Sequence, residues 1–478
     1  MAFFVKKLGK KLGAWFIQFL KDLSTAVVSL WRFLFPGVVK QPLFIARSLC
    51  KTNTRKQLVQ NLFFLLAAYA VSIVLMFCKS LWAGSVYTVI LRYILPLALL
   101  CGFLAAVYNA SSSEFRLLLL MSTCGLLVQT AISTNTAAEL IRHHVYAVIG
   151  GIAGAVLYYL LTEIEPRCTV RLLNTISVLL YIALLFTTAH HGTKNWFSFS
   201  GSSVQGTELT RLLAVVSIAR SCTLPEKSDR LRTIAVFETI GLHLLCLVLV
   251  NELSTGIIIL ITGIVLLLLS VRQLRWTALG LGVTGLAGYI VYLTCKLCFQ
   301  LGGGGILKGG SLIYSKVIMR LHPEQAGDSY QIDQARRSLL LSGWFGSSAE
   351  DVYIPAGDTD FVLVSAAKTF GYSFFFVIIL LMFALLVLGL IHAEDSSFPG
   401  LLCLGSVLTL QIQFLCNAVS ALSIGPIMGI TCPFLSLGGT SLVVTFFFCG
   451  VLLAASSSLP PEKPIFFYKR KGEVDREQ

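Results

Sequence analysis

Long apolar runs separated by short polar or basic segments fill the chain from about residue 60 to residue 457. Most runs are about 17–25 residues, enough for a helix to cross a ~30 Å hydrocarbon layer, and none shows the alternation of barrel strands. The pattern predicts twelve spans, at about 60–78, 87–108, 116–134, 144–163, 170–189, 207–221, 233–250, 253–271, 276–299, 361–391, 398–422 and 435–457. The expected fold class is therefore an all-α polytopic membrane protein with a large polar loop, about 300–360, before the tenth span. Ahead of the first span, Phe4, Leu8, Leu12, Trp15, Phe16 and Phe19 recur at helical spacing with Lys6, Lys7, Lys10 and Lys11 between them. This suggests a helix lying in the membrane interface; the alternative is a solvated tail whose lysines only set topology.

Charge orients these spans. Eleven basic residues, from Lys6 to Lys56, precede the first span against one acid, Asp22, which puts the N-terminus in the cytoplasm. An even number of spans returns the basic tail with Lys463, Lys469, Arg470 and Lys471 to the same side. Arg167 with Arg171, the Arg220 to Arg232 loop, and Arg272 with Arg275 also fall inside, and the 300–360 loop falls outside. The chain divides into a basic interfacial segment (1–57), two spans (58–115), a core (116–457) and a basic tail (458–478).

Composition agrees. The 478 residues are 56% hydrophobic and 13% charged, with mean hydropathy +0.82, more apolar surface than one soluble core buries. The net charge of +14 belongs to topology, not to nucleic acid. The 13 cysteines lie mostly inside spans, and the one Cys-x-x-Cys, Cys295 and Cys298, lacks the second pair a zinc site needs. No cleavable signal peptide is evident, because the first 20 residues mix lysines with aromatics. The glycines from Gly302 to Gly310 lack the Gly-Lys-Ser/Thr of a phosphate loop and read as a hinge.

The candidates for chemistry are few. Asp360, in Asp358-Thr359-Asp360-Phe361, closes the outer loop where the chain re-enters the membrane, so a carboxylate stands where it can take a proton from a lipid-anchored substrate. Thr359 and Asp360 would equally suit a helix cap, with the acid complementing the helix dipole and staying ionised. Glu208 and Arg211, one turn apart in the sixth span, form either a structural ion pair or part of a site; Glu238, Glu252 and Lys368 are further charges within or beside spans. His143-His144 and His190-His191 make poor metal ligand sets, because neighbours on a helix diverge. Pro433 to Ser441 breaks the approach to the last span, which leaves backbone groups for a ligand or for a packed re-entrant turn.

Taken in order, these segments resemble the SEDS family (shape, elongation, division and sporulation proteins, the RodA, FtsW and SpoVE group) over about residues 116–457. Gly192 to Trp196 resembles the family's Gly-x-x-Arg-Trp loop, with Lys194 beside the arginine position. Gln205-Gly206-Thr207-Glu208-Leu209 resembles Gln-Pro-Ser/Ala-Glu-Leu, with Arg211 at a usually basic position. Asn251 to Thr255 falls where the family has Pro-Asp-Leu-Gly-Thr. Tyr330-Gln331 with Gln334, Gly343 and Gly346, Pro355, Thr359-Asp360-Phe361, Gly371-Tyr372, Gln413, Asn417, Pro426, Gly429 and Pro433 to Ser441 complete the series. Lys368 and Thr369 stand where the family has paired glutamates, Ala356 where it has an acid, and Asn195 where it has arginine; two spans are additional.

The resemblance implies a peptidoglycan glycosyltransferase that polymerises lipid II at the outer face of the bacterial cytoplasmic membrane. Asp360 matches the family's catalytic aspartate. Lys316, Arg320, Arg336 and Arg337, with Arg211, would neutralise the leaving pyrophosphate, and a divalent cation, Mg or Mn, could share that role. Lys194, Trp196, Gln205, Glu208, Arg211, Glu252, Gln331, Gln334, Thr359, Pro433, Ser436, Gly438, Gly439 and Ser441 are the remaining substrate-binding candidates. A class B penicillin-binding protein transpeptidase is the implied partner, beside membrane lipids. A precursor flippase, a solute transporter and a recruiting scaffold are the rival readings.

Overall fold

The computed structural model describes residues 113–456, except 133–135, 189–192, 200–201, 226–227, 272–273, 302–309, 312, 316–328, 347–351, 394–395 and 426–427, together with residue 458. The interfacial segment and first two spans expected from the sequence, and the basic tail, lie outside the described residues.

The chain builds α1 (Ser113–Ile132), α2 (Thr136–Thr162) and α3 (Pro166–Leu185), then a hairpin of β1 (Trp196–Phe199) and β2 (Ser202–Gln205). There follow α4 (Gly206–Cys222), α5 (Asp229–Leu249), α6 (Ser254–Ser270), α7 (Leu274–Gln300), α8 (Ser329–Ser342), α9 (Val362–Phe370), α10 (Tyr372–His392), α11 (Phe398–Ala421) and α12 (Gly439–Ser456). Seven of these helices are long and apolar enough to cross a membrane, and α1 and α6 add shorter apolar helices. The chain is a multi-pass membrane protein, and among the described residues its regular structure is helical apart from the antiparallel hairpin, in which Trp196 pairs with Gln205.

Helix α11 is the axis of the bundle. Of its apolar stretch 89% is buried inside the protein, against 6% for α7, which lies at the rim. Ser397 caps α11 by accepting from the Gly400 amide at 3.3 Å, with proline in the first turn. Helix α4 packs beside it and carries Glu208 in its first turn and Arg220 in its last, both signs matched to the helix dipole.

The single tenth span expected over 361–391 is two helices. Gly371 adopts φ +84, and a Cβ there would stand 2.4 Å from the Trp344 carbonyl oxygen, so only glycine fits this break. The freed amides at the start of α10 are taken up from outside the helix: Tyr372 donates to the Gly343 carbonyl and Ser373 to that of Trp344, each at 3.1 Å. The break lets α9 stand as a short separate helix directly behind the Asp360 turn.

Candidate active site

Residues 355–361 form consecutive turns ahead of α9. The expected cap by Thr359 is not made: Phe361 is the N-cap, no side chain caps the helix, and Thr359 Oγ1 turns back to the Ala356 carbonyl at 3.4 Å. The turn is stitched by Thr359 and Phe361 amides donating to the same Ala356 carbonyl, and Ala356 itself has φ +49. Asp360 is half-buried, and burial first, then the nearby Asp358 charge, holds its carboxyl above the usual carboxylate range. Asp360 sits ahead of the N-cap, Phe361, and not in the first turn of the helix.

Three segments converge on this turn. From α11, the Asn417 amide nitrogen donates to the Asp360 carbonyl at 2.8 Å and to the Ile430 carbonyl at 2.7 Å. From the Pro433 to Ser441 segment, Ser436 Oγ donates to the Thr359 carbonyl at 2.7 Å, and the Leu437 amide to the Asp358 carbonyl at 2.9 Å. Two of that segment's polar groups thus hold the Asp360 turn. Beyond it, a Cβ on Gly429 would be 3.9 Å from Asp360 Oδ2, so the floor beside the carboxylate is bare backbone.

The acidic turn before α6 joins the same region. Ser254 Oγ donates to the Met428 carbonyl at 2.8 Å, and Glu252 accepts from the Ser254 amide at 3.0 Å and from Asn195 Nδ2 at 3.1 Å. Asn195, standing where the resemblance expects arginine, thus anchors Glu252 instead of presenting charge. Glu208 and Arg211 are paired and both buried, and Glu208 also feels the Glu252 charge. The Gln205 amide donates to Thr440 Oγ1 at 3.1 Å, which ties the hairpin and α4 to the start of α12. Ser441 is held by Thr431 at 2.6 Å, and Gln413 reaches both. Gly438 and Gly439 lie half-buried against Thr431 and Tyr146, and Pro433 is buried.

Other candidates stand apart. Lys194 turns its ammonium to the Leu185 carbonyl at 2.7 Å, capping α3, and Trp196 is half-buried in β1. Gln331 and Gln334 are half-buried on α8, which packs against α9, while Arg336 and Arg337 are exposed there. Lys316 and Arg320, like His190, His191 and Pro426, lie outside the described residues. Lys368 donates to the Val352 carbonyl at 3.1 Å. His143 is engaged by Ser122 and Gln129, and among the described residues no three His, Cys, Asp or Glu side chains gather to hold a metal.

A groove of about 940 Å³ runs between α5, α6 and α7, from Arg230 and Trp276 at one end to Glu252 and Tyr314 at the other. Its walls are apolar, among them Phe237, Leu244, Leu260, Val283 and Val291, and Glu238 is a charged exception partway along. Glu252 is the point where groove and Asp360 region meet.

A model of the cell cycle protein family of FtsW, RodA and SpoVE matches residues 111–459. The chain is 24% identical over 327 residues to a probable peptidoglycan glycosyltransferase FtsW of Trichlorobacter lovleyi, covering 65% of this chain and 82% of that relative. It is 24% identical over 326 residues to the peptidoglycan glycosyltransferase MrdB of Escherichia coli K12, covering 64% and 84%. A solved chain described under "Structural coordination of polymerization and crosslinking by a peptidoglycan synthase complex" has the same fold, with TM-score 0.51 at 21% identity over 76% of this chain and 98% of that one. With the match spanning most of its length, the chain belongs to the FtsW, RodA and SpoVE family of cell cycle proteins.

Proposed function

We propose that this protein is a peptidoglycan glycosyltransferase that polymerises lipid II at the outer face of the cytoplasmic membrane, with Asp360 as the general base. The observation that carries the reading is a half-buried carboxylate tied to the end of an apolar groove: the groove reaches Glu252, and the Ser254 to Met428 bond joins that turn to the floor beside Asp360. The lipid tail lies in the groove and the headgroup at Asp360.

Asp360 takes the proton of the acceptor sugar hydroxyl as its oxygen attacks the anomeric carbon of the donor. The bond from that carbon to the lipid pyrophosphate breaks, and the pyrophosphate leaves with the electron pair. A raised pKa suits the base, because the proton is held more firmly as transfer proceeds. Lys316, Arg320 and the arginines of α8 meet the leaving charge, with Arg211, paired to Glu208, buried below them; a magnesium or manganese ion would share that role. Glu208, Glu252, Gln205, Thr359, Pro433, Ser436, Gly438, Gly439 and Ser441 shape the surrounding cavity, and Lys194, Trp196, Gln331 and Gln334, which stand farther off, would meet the outlying parts of the substrate.

The N- and C-termini are cytoplasmic by the distribution of basic residues. By sequence pattern alone, residues 1–57 are assigned to a basic segment, 58–115 to two spans beyond the family core and 458–478 to a basic tail. A class B penicillin-binding protein is the partner that crosslinks the product.

Purified full-length protein given lipid II should make glycan polymer, and Asp360→Asn should lower the rate by about 10²–10⁴-fold. An Asp360→Asn protein that polymerises at the normal rate overturns the assignment. One observation favours a flippase as second reading: the groove runs nearly the length of α5, so a tail could travel along it. Headgroup translocation in vesicles, unchanged in Asp360→Asn and without polymer from the parent, would decide for it.

A further inference from the structure

Helix α1 reaches the Asp360 turn through a buried relay of side chains. Gln129 Nε2 donates to the carbonyls of Phe434 and Ser436, at 3.2 and 3.4 Å. With its nitrogen committed to two carbonyls, its oxygen faces His143 Nδ1 at 3.1 Å, so that ring nitrogen carries the hydrogen. His143 Nε2 is then the acceptor, and Ser122 Oγ donates to it at 2.9 Å. Gln129 and His143 are buried, at 1% and 2% exposure, so the bonds between them and from Gln129 to the two carbonyls form away from water.

What the relay holds is strained. Phe434 has φ +65, a left-handed conformation that is unfavourable for a bulky residue and lasts only where the surroundings fix it. Its carbonyl is fixed by Gln129, and its ring meets Phe446 edge-on at 5.9 Å. Gly125 lets α1 come this near, since a Cβ there would overlap the Phe434 carbonyl oxygen at 2.0 Å. Two residues on, Ser436 passes the constraint to the carbonyl of Thr359, the residue before Asp360.

We propose that Gln129 and His143 are positioning residues for Asp360: they hold the strained Phe434 to Ser436 turn, and that turn fixes the backbone carrying the carboxylate. The inference rests on Asp360 being the base of the reaction proposed above.

The test uses full-length protein with lipid II. His143→Leu and Gln129→Leu should lower kcat by about 10²-fold with KM little changed, because a misplaced base loses rate without losing substrate. His143→Asn, whose amide nitrogen stands where Nδ1 does, should recover most of kcat. A merely structural role would lower activity only in step with the folded fraction and show no such rescue. Hydrogen exchange gives a readout independent of catalysis: the Cys432 and Leu437 amides, bonded to Ser436 Oγ and the Asp358 carbonyl, should exchange faster in His143→Leu and at the parent rate in His143→Asn. Unchanged kcat and exchange in an active His143→Leu protein overturn the positioning inference. An inactive parent that shows the exchange pattern overturns the functional reading and leaves the relay standing.

Discussion

The side-chain amide of Asn417 holds the backbone of Asp360, donating to its carbonyl at 2.8 Å while the same nitrogen donates to the carbonyl of Ile430 at 2.7 Å. One buried side chain of the central helix thus ties the carboxylate's own residue to the strand of backbone that floors the pocket. Asn417→Leu keeps the volume and removes the donor, stranding two carbonyls at about 1–3 kcal/mol each where they stay buried. Expected are a lower melting temperature and a polymerisation rate reduced beyond the loss of folded protein. A variant with parent rate and parent melting temperature would show that Asn417 holds nothing the reaction needs.

Asp358 sets part of the environment in which Asp360 titrates. Both burial and the Asp358 charge raise the Asp360 pKa, so replacing Asp358 with asparagine removes the second of these and lowers it. A general base works deprotonated, so the acid limb of kcat/KM against pH should move to lower pH in Asp358→Asn. Movement to higher pH, or none, contradicts the coupling.

The same shift has a stability consequence. A carboxyl whose folded pKa lies above its unfolded value favours the protonated folded state, so its penalty is absent below the unfolded pKa and complete above the folded one. At neutral pH Asp360 therefore costs stability, and Asp360→Asn should melt at or above the parent temperature while losing activity. Thermal unfolding at neutral pH checks it; a clear fall would mean that the carboxylate is a structural anchor.

Where apolar length alone decides, the sequence is legible: the span expected at 398–422 is observed as Phe398–Ala421, and that at 253–271 as Ser254–Ser270. Helix α2 starts at Thr136 instead of about 144, because its first turns carry Glu139, Arg142 and the histidine pair and look like loop. The break at Gly371 and the hairpin at Trp196–Gln205 are set by tertiary contacts, a carbonyl too near for a Cβ and a strand pairing four residues long. Asp360 stands out in sequence as an acid at a membrane re-entry. Gln129 does not, since one glutamine in an apolar helix carries no periodic signal; only the fold brings it to residues more than 300 positions away.

The groove between α5, α6 and α7 offers a substitution that adds bulk without disturbing packing. Gly241 and Gly288 both line it, and a Cβ on either meets nothing within 4 Å. Phenylalanine at position 288 should displace part of a bound tail; losing two methylene contacts at ~0.8 kcal/mol each corresponds to about a tenfold rise in KM. The effect should vanish with a short-chain lipid II analogue that leaves the groove unfilled. Equal KM changes for long and short chains would place the tail elsewhere.

Glycines set how closely α2 and α12 cross, and the crossing in turn sets where the Pro433 to Ser441 turn enters the bundle. A Cβ on Gly154 would lie 2.1 Å from the Phe447 carbonyl oxygen, on Gly150 2.4 Å from that of Val443, and on Gly450 2.0 Å from that of Gly151. All three obstacles are backbone, which cannot rotate aside as a side chain can, so the helices must separate to admit a methyl group. Gly151, between two of these positions in sequence, faces open space. Gly154→Ala and Gly450→Ala should therefore destabilise by about 1–3 kcal/mol as overpacking does. Gly151→Ala should be neutral or stabilising, since alanine is the better helix former by ~0.8–1.0 kcal/mol. Because α12 begins at Gly439, directly after the turn that holds Asp360, Gly154→Ala should also lose polymerisation rate per folded molecule while Gly151→Ala keeps it. Melting temperatures in the opposite order would mean that the seam is looser than these contacts imply and that the turn is held from α1 and α11 alone.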